Sequence, residues 1–152
     1  MEFVQDVLPT STVNRIVRQK HTAVHEVIKS HYVKLFCDVD CNLTPEYTIE
    51  TAERDVQIIE AEMKAKFGFA AYKASYQTAT RYSLHLVCPI KVHIEYQKQF
   101  FTQLSESLVN KDIIDTSVYG LNKSLRLPLC PKVDSENIYT DRILRFDNDI
   151  KL

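Results

Sequence analysis

Asp38-Val39-Asp40 closes an apolar, β-rich run that begins at Tyr32. Side chains on a strand alternate faces, so both carboxylates project to one side. Two carboxylates that close together repel unless a cation lies between them. Mg2+ or Mn2+ is the expected partner, because hard cations prefer oxygen ligands. An exposed strand-end turn is the plain alternative, since Asp favours turns. In Arg81-Tyr82-Ser83-Leu84-His85-Leu86 the same alternation puts Arg81, Ser83 and His85 on one face. A cation, a hydroxyl and an imidazole together suit an anion such as a phosphate. A half-exposed antiparallel strand would show the same pattern on its solvent side. Asp115 supplies a third carboxylate ahead of a turn and the cations Lys123 and Arg126. Three acids with convergent cations are what two-metal nucleotidyl transfer requires. The metals activate the attacking 3′-hydroxyl and stabilise the leaving pyrophosphate, and Lys or Arg neutralises the triphosphate.

Taken in order, three motifs carry a likeness to a known family: Asp38-Val39-Asp40, then Ser83-Leu84-His85, then Asp115 with the Val118-Tyr119-Gly120-Leu121-Asn122-Lys123-Ser124-Leu125-Arg126-Leu127 segment. With these the chain resembles the catalytic core of the archaeo-eukaryotic primase superfamily, most closely its primase-polymerase branch and the primases of large DNA viruses. The likeness covers residues 32–132, and the segment 118–127 with Lys132 beyond it is its most specific part. The resemblance implies an RRM-related catalytic core in which Asp38, Asp40 and Asp115 are the catalytic metal carboxylates for Mg2+ or Mn2+. It implies that Ser83 and His85 contact the phosphates of the incoming nucleotide. Arg126 and Lys132 match residues that hold the triphosphate, Arg81 stands where a basic residue precedes the Ser-x-His motif, and Lys123 adds a further cation.

The function implied is that of a DNA primase or primase-polymerase, making primers from nucleoside triphosphates on a single-stranded DNA template. A helicase or a larger primase subunit is the further partner it suggests. The site of DNA replication, in the nucleus or a viral replication site, is the implied location. No zinc-knuckle Cys/His cluster follows the third motif. A separate small catalytic subunit, a piece of a larger primase and a copy that binds nucleic acid without catalysis are all compatible with this. The reading from another class is accordingly a non-catalytic nucleic-acid-binding or regulatory primase-like subunit. A metal-dependent nuclease sharing the carboxylate set is the third.

The elements that must position these residues follow from periodicity. Ile49, Ala52, Val56, Ile59, Met63 and Phe67 recur at spacings of three and four, with Thr44-Pro45 as the expected helix start and Gly68 as its stop. Residues 69–76 and 81–88 read as two strands of a hairpin across Gln77-Thr78-Ala79-Thr80. Phe100, Phe101, Leu104 and Leu108 mark another helix, residues 113–119 a strand, 120–124 a turn and 125–127 a short strand stopped by Pro128. Near the start, Val13, Ile16, Val17, Val24, Val27 and Ile28 predict a helix. His21 and His25 would then lie one turn apart, a zinc pair in principle, though a solvated face is favoured because the order is not that of a metalloprotease helix. The element order predicts an α+β domain with a mostly antiparallel sheet and packed helices.

Composition sets the limits. One domain fits 152 residues, and 45% hydrophobic with 26% charged residues is globular. Two glycines exclude a Gly-rich phosphate loop of the Walker or dinucleotide kind. Apolar runs are too short for a membrane span, so no membrane partner is expected. Met1-Glu2-Phe3 has no basic stretch ahead of an apolar one, so secretion is not expected and an intracellular location is. Cys37, Cys41, Cys88 and Cys130 lack paired spacing and read as buried thiols. The net charge of −1 conceals segregation: eight acids and one Arg over 38–62, then five cations and no acid over 63–94. A basic hairpin beside an acidic edge is the functional reading and ordinary solvated faces the plain one. Tyr72, Tyr76 and Tyr82 could stack on bases, though core positions for at least some of them are favoured, since Tyr fits half-buried sheets.

Overall fold

The computed structural model describes residues 25–126, 131–133, 136 and 139–146. Along the chain these form β1 (His25–Val27), β2 (Tyr32–Asn42), α1 (Ile49–Phe67), β3 (Tyr72–Gln77), β4 (Arg81–His93) and α2 (Ile94–Ser105). A turn of 3-10 helix (Thr116–Val118) follows, then β5 (Ser124–Arg126), β6 (Pro131–Val133), β7 (Tyr139–Ile143) and β8 (Arg145–Phe146). The main sheet has the order β2-β4-β3-β8, and β1-β5 and β6-β7 form two smaller sheets. Every pairing is antiparallel. Among the described residues the architecture is α+β, two helices with antiparallel sheets, the class that the element order predicts.

Alternation sorts β2 and β4 into two faces. Leu35, Cys37, Val39 and Cys41 from β2, and Tyr82, Leu84, Leu86 and Cys88 from β4, are buried on one of them. They join a single core with Ala52, Val56, Ile59 and Met63 of α1 and with Ile94, Phe101 and Leu104 of α2. Full burial of a Leu, Ile, Met or Phe side chain contributes about 1.5–3 kcal/mol, so this layer holds the sheet and helices together. The other face carries Asp38, Asp40, Ser83 and His85.

The helix begins four residues later than Thr44-Pro45 predicts. Thr48 is the N-cap, accepting from the Thr51 N–H, while Thr44 closes a turn in which its hydroxyl accepts from the Tyr47 N–H at 3.0 Å. Gly68 ends the helix in the left-handed region at φ 80°, its N–H donating to the Lys64 carbonyl.

Three further expectations need correction. The helix expected to run to Ile28 is contradicted at its end, where His25–Val27 pairs with β5; the earlier part, with His21, lies outside the described residues. His25 therefore sits on a strand and presents no helical histidine pair. Residues 113–119 do not extend as a strand: only Ile114 bridges β2, at Val39, before the chain turns into the 3-10 segment. And β4 does not stop at Cys88. Leu35 pairs with Cys88 and Lys34 with Lys91, so Pro89 and Ile90 bulge out of the ladder and the strand resumes to His93. Proline has no N–H to give to a ladder, and a bulge is where a strand tolerates it.

Gln97 of α2 supports that bulge. It is fully buried; its side-chain amide donates to the carbonyls of Val33, Lys34 and Val92, and its oxygen accepts from the Phe36 N–H. Backbone groups left open by the register shift are thereby satisfied.

Candidate active site

The register of β2 against β4 assembles most of the expected residues. Asp38 lies opposite His85, Asp40 opposite Ser83, and Asn42 opposite Arg81. His85 Nε2 is 3.4 Å from Asp38 Oδ1, and the Ser83 hydroxyl donates to Asp40 Oδ1 at 2.6 Å. Arg81 reaches along its edge to the same carboxylate, Nε donating to Oδ1 at 3.0 Å and a terminal nitrogen to Oδ2. Burial pushes the Asp40 carboxyl upward, but the Arg81 and Ser83 hydrogen bonds and the charges of Arg81 and Arg142 outweigh it. The carboxyl is held below its ordinary value.

Asp115 arrives on the opposite flank of β2. Its N–H donates to the Asp38 carbonyl at 2.9 Å, and the Asp40 N–H donates to the Ile113 carbonyl at 2.9 Å. With Val39 bridged to Ile114, Asp115 stands across from Asp38 as His85 does on the other side. The backbone therefore brings all three acids together. Their carboxylates, however, are already engaged separately: Asp38 with His85, Asp40 with Arg81 and Ser83, and Asp115 with the N–H and hydroxyl of Ser117 at 3.0 and 2.6 Å. Among the described residues no group of three His, Cys, Asp or Glu side chains is arranged to hold a metal ion. The donors are all oxygen, which suits Mg2+ or Mn2+, and an ion held at Asp40 would share that carboxylate with Arg81 and Ser83.

His85 is nine-tenths buried on this face, and its Nδ1 has no hydrogen-bond partner. A buried polar atom left without a partner carries a desolvation cost, and a ligand atom is one way to relieve it.

The remaining expected residues scatter. Lys123 is exposed; its carbonyl accepts from the Ile28 N–H and its N–H donates to the Gly120 carbonyl. Asn122 takes the left-handed conformation at φ 62° and accepts from Lys29, which makes it a turn-former. Arg126 and Lys132 lie on β5 and β6, and their side chains, like Cys130, fall outside the described residues. Of the three tyrosines, Tyr82 is core, whereas Tyr72 and Tyr76 belong to the other face of the sheet. The basic hairpin is largely neutralised, with Lys73 on Glu60 at 3.2 Å and Arg81 on Asp40. Cys37, Cys41 and Cys88 are buried free thiols.

Three contributors were not anticipated. Arg142 of β7 adds positive charge near Asp40 and lies over the Tyr76 ring. Tyr119 donates to the Phe36 carbonyl at 2.6 Å and stacks on Phe101, tying the segment after Asp115 to the core. Asp55, fully buried on α1, accepts from the Tyr47 hydroxyl and from the N–H groups of Val109 and Asn110 at 2.7, 2.9 and 3.0 Å. It fixes the loop that leads to Asp115. A signal existed for Asp55: a charge set in the apolar stripe between Ala52 and Val56. No helix among the described residues is long and apolar enough to cross a membrane. No protein-family model and no curated protein matches the chain.

Proposed function

We propose that this chain is a metal-dependent nucleotidyltransferase of the primase or primase-polymerase kind, drawing nucleoside triphosphates onto a single-stranded DNA template at the place where a genome is copied. The observation that supports this reading is one row across three backbone segments, Asp115 beside Asp38 beside His85, with Asp40 and Ser83 on the next rung. Asp38, Asp40 and Asp115 are the carboxylates that would hold Mg2+ or Mn2+. The bound ion would supply activation of the attacking hydroxyl and charge for the leaving pyrophosphate. Ser83 and His85 offer a hydroxyl and an imidazole N–H to phosphate oxygens. Arg81 is the cation nearest to hand, exchanging its carboxylate for a phosphate as a ligand enters.

The test is templated incorporation of labelled nucleotides, with Mg2+ and with Mn2+, by the wild type and by an Asp38→Asn/Asp40→Asn double variant. Activity in the wild type that falls at least a hundredfold in the variant is expected. Undiminished synthesis by the variant overturns the mechanism.

One observation favours a second reading, a non-catalytic nucleic-acid-binding or regulatory subunit. The Asp40 carboxylate accepts from Arg81 at both oxygens and from Ser83 at one, so a protein cation already balances its charge. Binding of a nucleoside triphosphate measured with Mn2+ and with EDTA separates the two. Tightening by the metal supports the enzyme, and indifference to it supports the binding subunit.

A further inference from the structure

Beyond the bulge, β2 and β4 present a second patch whose chemistry the acid face does not use. Tyr32 lies opposite His93 and Lys34 opposite Lys91. Residues directly opposite on antiparallel strands share a face with Cβ atoms about 5 Å apart. Two lysines in that relation repel and destabilise the pair. An acid placed between them would relieve it, yet neither lysine makes an ion pair among the described residues. Glu26 of β1 and Glu95 of α2 make no ion pair with either lysine among the described residues.

The aromatic half of the patch is ordered. The Tyr32 and His93 rings meet nearly at right angles, 87° with 5.1 Å between centroids, and His31 stacks on the same His93 ring at 5.6 Å and 10°. His93 is held in place because its Nδ1 accepts the Glu95 N–H as the cap of α2, leaving Nε2 to carry the proton. Tyr32 is 60% exposed, a large flat ring offered to solvent beside two ammonium groups.

We infer that the patch formed by His31, Tyr32, Lys34, Lys91 and His93 is a docking surface for single-stranded nucleic acid. Phosphates relieve the lysine repulsion, and a base stacks on the exposed ring, the combination that holds single strands without sequence preference. With a net charge of −1 the whole molecule exerts no general pull on a polyanion, so a local patch must supply it. Lys34 is four residues along β2 from Asp38, about 13 Å at the rise of a strand, so the patch lies a few nucleotides' length from the acid face. The choice of nucleic acid as occupant rests partly on the function proposed above, while the position of the patch does not. It also replaces the basic hairpin as the expected path, since Lys73 and Arg81 are engaged by acids.

The test uses the full chain and a labelled oligo-dT of about twenty nucleotides, long enough for the usual site sizes, in EDTA without nucleotide. Fluorescence anisotropy at several salt concentrations is expected to show the Lys34→Gln/Lys91→Gln variant binding more weakly, with the salt slope reduced by about 1.4 for two lost contacts. Tyr32→Ala is expected to weaken binding roughly 5- to 150-fold. A Lys64→Gln/Lys98→Gln variant, with the same change in net charge, is expected to bind as the wild type. Melting temperature provides a second readout: removing the opposed lysines leaves it unchanged or raises it. Equal losses in both double variants, no loss in the first, or equally tight binding of polyglutamate or phosphatidylserine vesicles would overturn the inference. Asp38→Asn/Asp40→Asn is expected to retain oligonucleotide binding, so failure of catalysis and failure of the docking surface are read separately.

Discussion

Arg81 grips Asp40 from the neighbouring strand at two points, Nε on one carboxylate oxygen and a terminal nitrogen on the other, while Ser83 donates to the first. The geometry makes Asp40 an internal counter-ion for the cation the proposed site needs. On the proposed function, an anion arriving at Arg81 competes with Asp40 for the guanidinium.

Acid should expose this pair. The folded-state value of Asp40 lies below its unfolded value, so its stabilisation is present above the ordinary Asp range and is lost as pH falls through the folded value. Both side chains are about one-third exposed, which limits the effect to the order of 1 kcal/mol after solvent screening. Asp40→Asn is expected to be less stable than wild type at pH 7. The gap should close as pH drops below about 4. Urea titrations at pH 7, 4 and 2.5 measure it, and a gap that widens in acid contradicts the assignment.

Asp55 holds three donors from inside the core. Asp55→Ala leaves the Val109 and Asn110 N–H groups and the Tyr47 hydroxyl without their acceptor, at an expected cost of about 2–4 kcal/mol. Denaturant unfolding gives the number. If the loop through Asn110 positions Asp115, hydrogen exchange at Ile113–Asp115 backbone amides should accelerate in the milder Asp55→Asn as well; protection equal to wild type would separate the loop from the row.

Gln97 offers a comparable test of the bulge. Gln97→Leu keeps most of the volume but strips four hydrogen bonds from β2 and β4, and about 2–4 kcal/mol of destabilisation is expected. The Lys34–Lys91 register should loosen with it. Cross-strand amide contacts in an NMR spectrum report this directly.

The thiols should be inert. Burial, with the charges of Asp40 and Asp55 behind it, pushes Cys41 up to about 11; burial and Asp38 raise Cys37, and burial raises Cys88. At pH 8 the Cys41 thiolate fraction is then about one in a thousand, and thiolate is the reactive form. Maleimide labelling of the native protein followed by peptide mass spectrometry should leave all three unmodified until denaturant is added. Rapid modification of Cys41 would place it nearer the surface.

Local order was legible where burial imposes a period. The stripe from Ile49 to Phe67 with its terminal glycine, the hairpin across Thr78 and the split of β2 and β4 into an apolar and a polar face all follow from side chains that must leave water on one side. So did the sharing of a face by Asp38 and Asp40, and by Ser83 and His85. Other features depend on partners distant in sequence. Nothing near Asp115 says that its N–H meets Asp38, nothing near His25 says that β5 will draw it into a strand, and nothing near Pro89 says that Gln97 will satisfy the bulge. Charge behaves the same way: Arg81 and Lys73 count as basic in a sequence, but Asp40 and Glu60 neutralise them in space, leaving Lys34 and Lys91 to confront one another. Periodicity is a property of a segment and its exposure to water; hydrogen-bond and ion-pair partners are chosen only when the chain closes on itself.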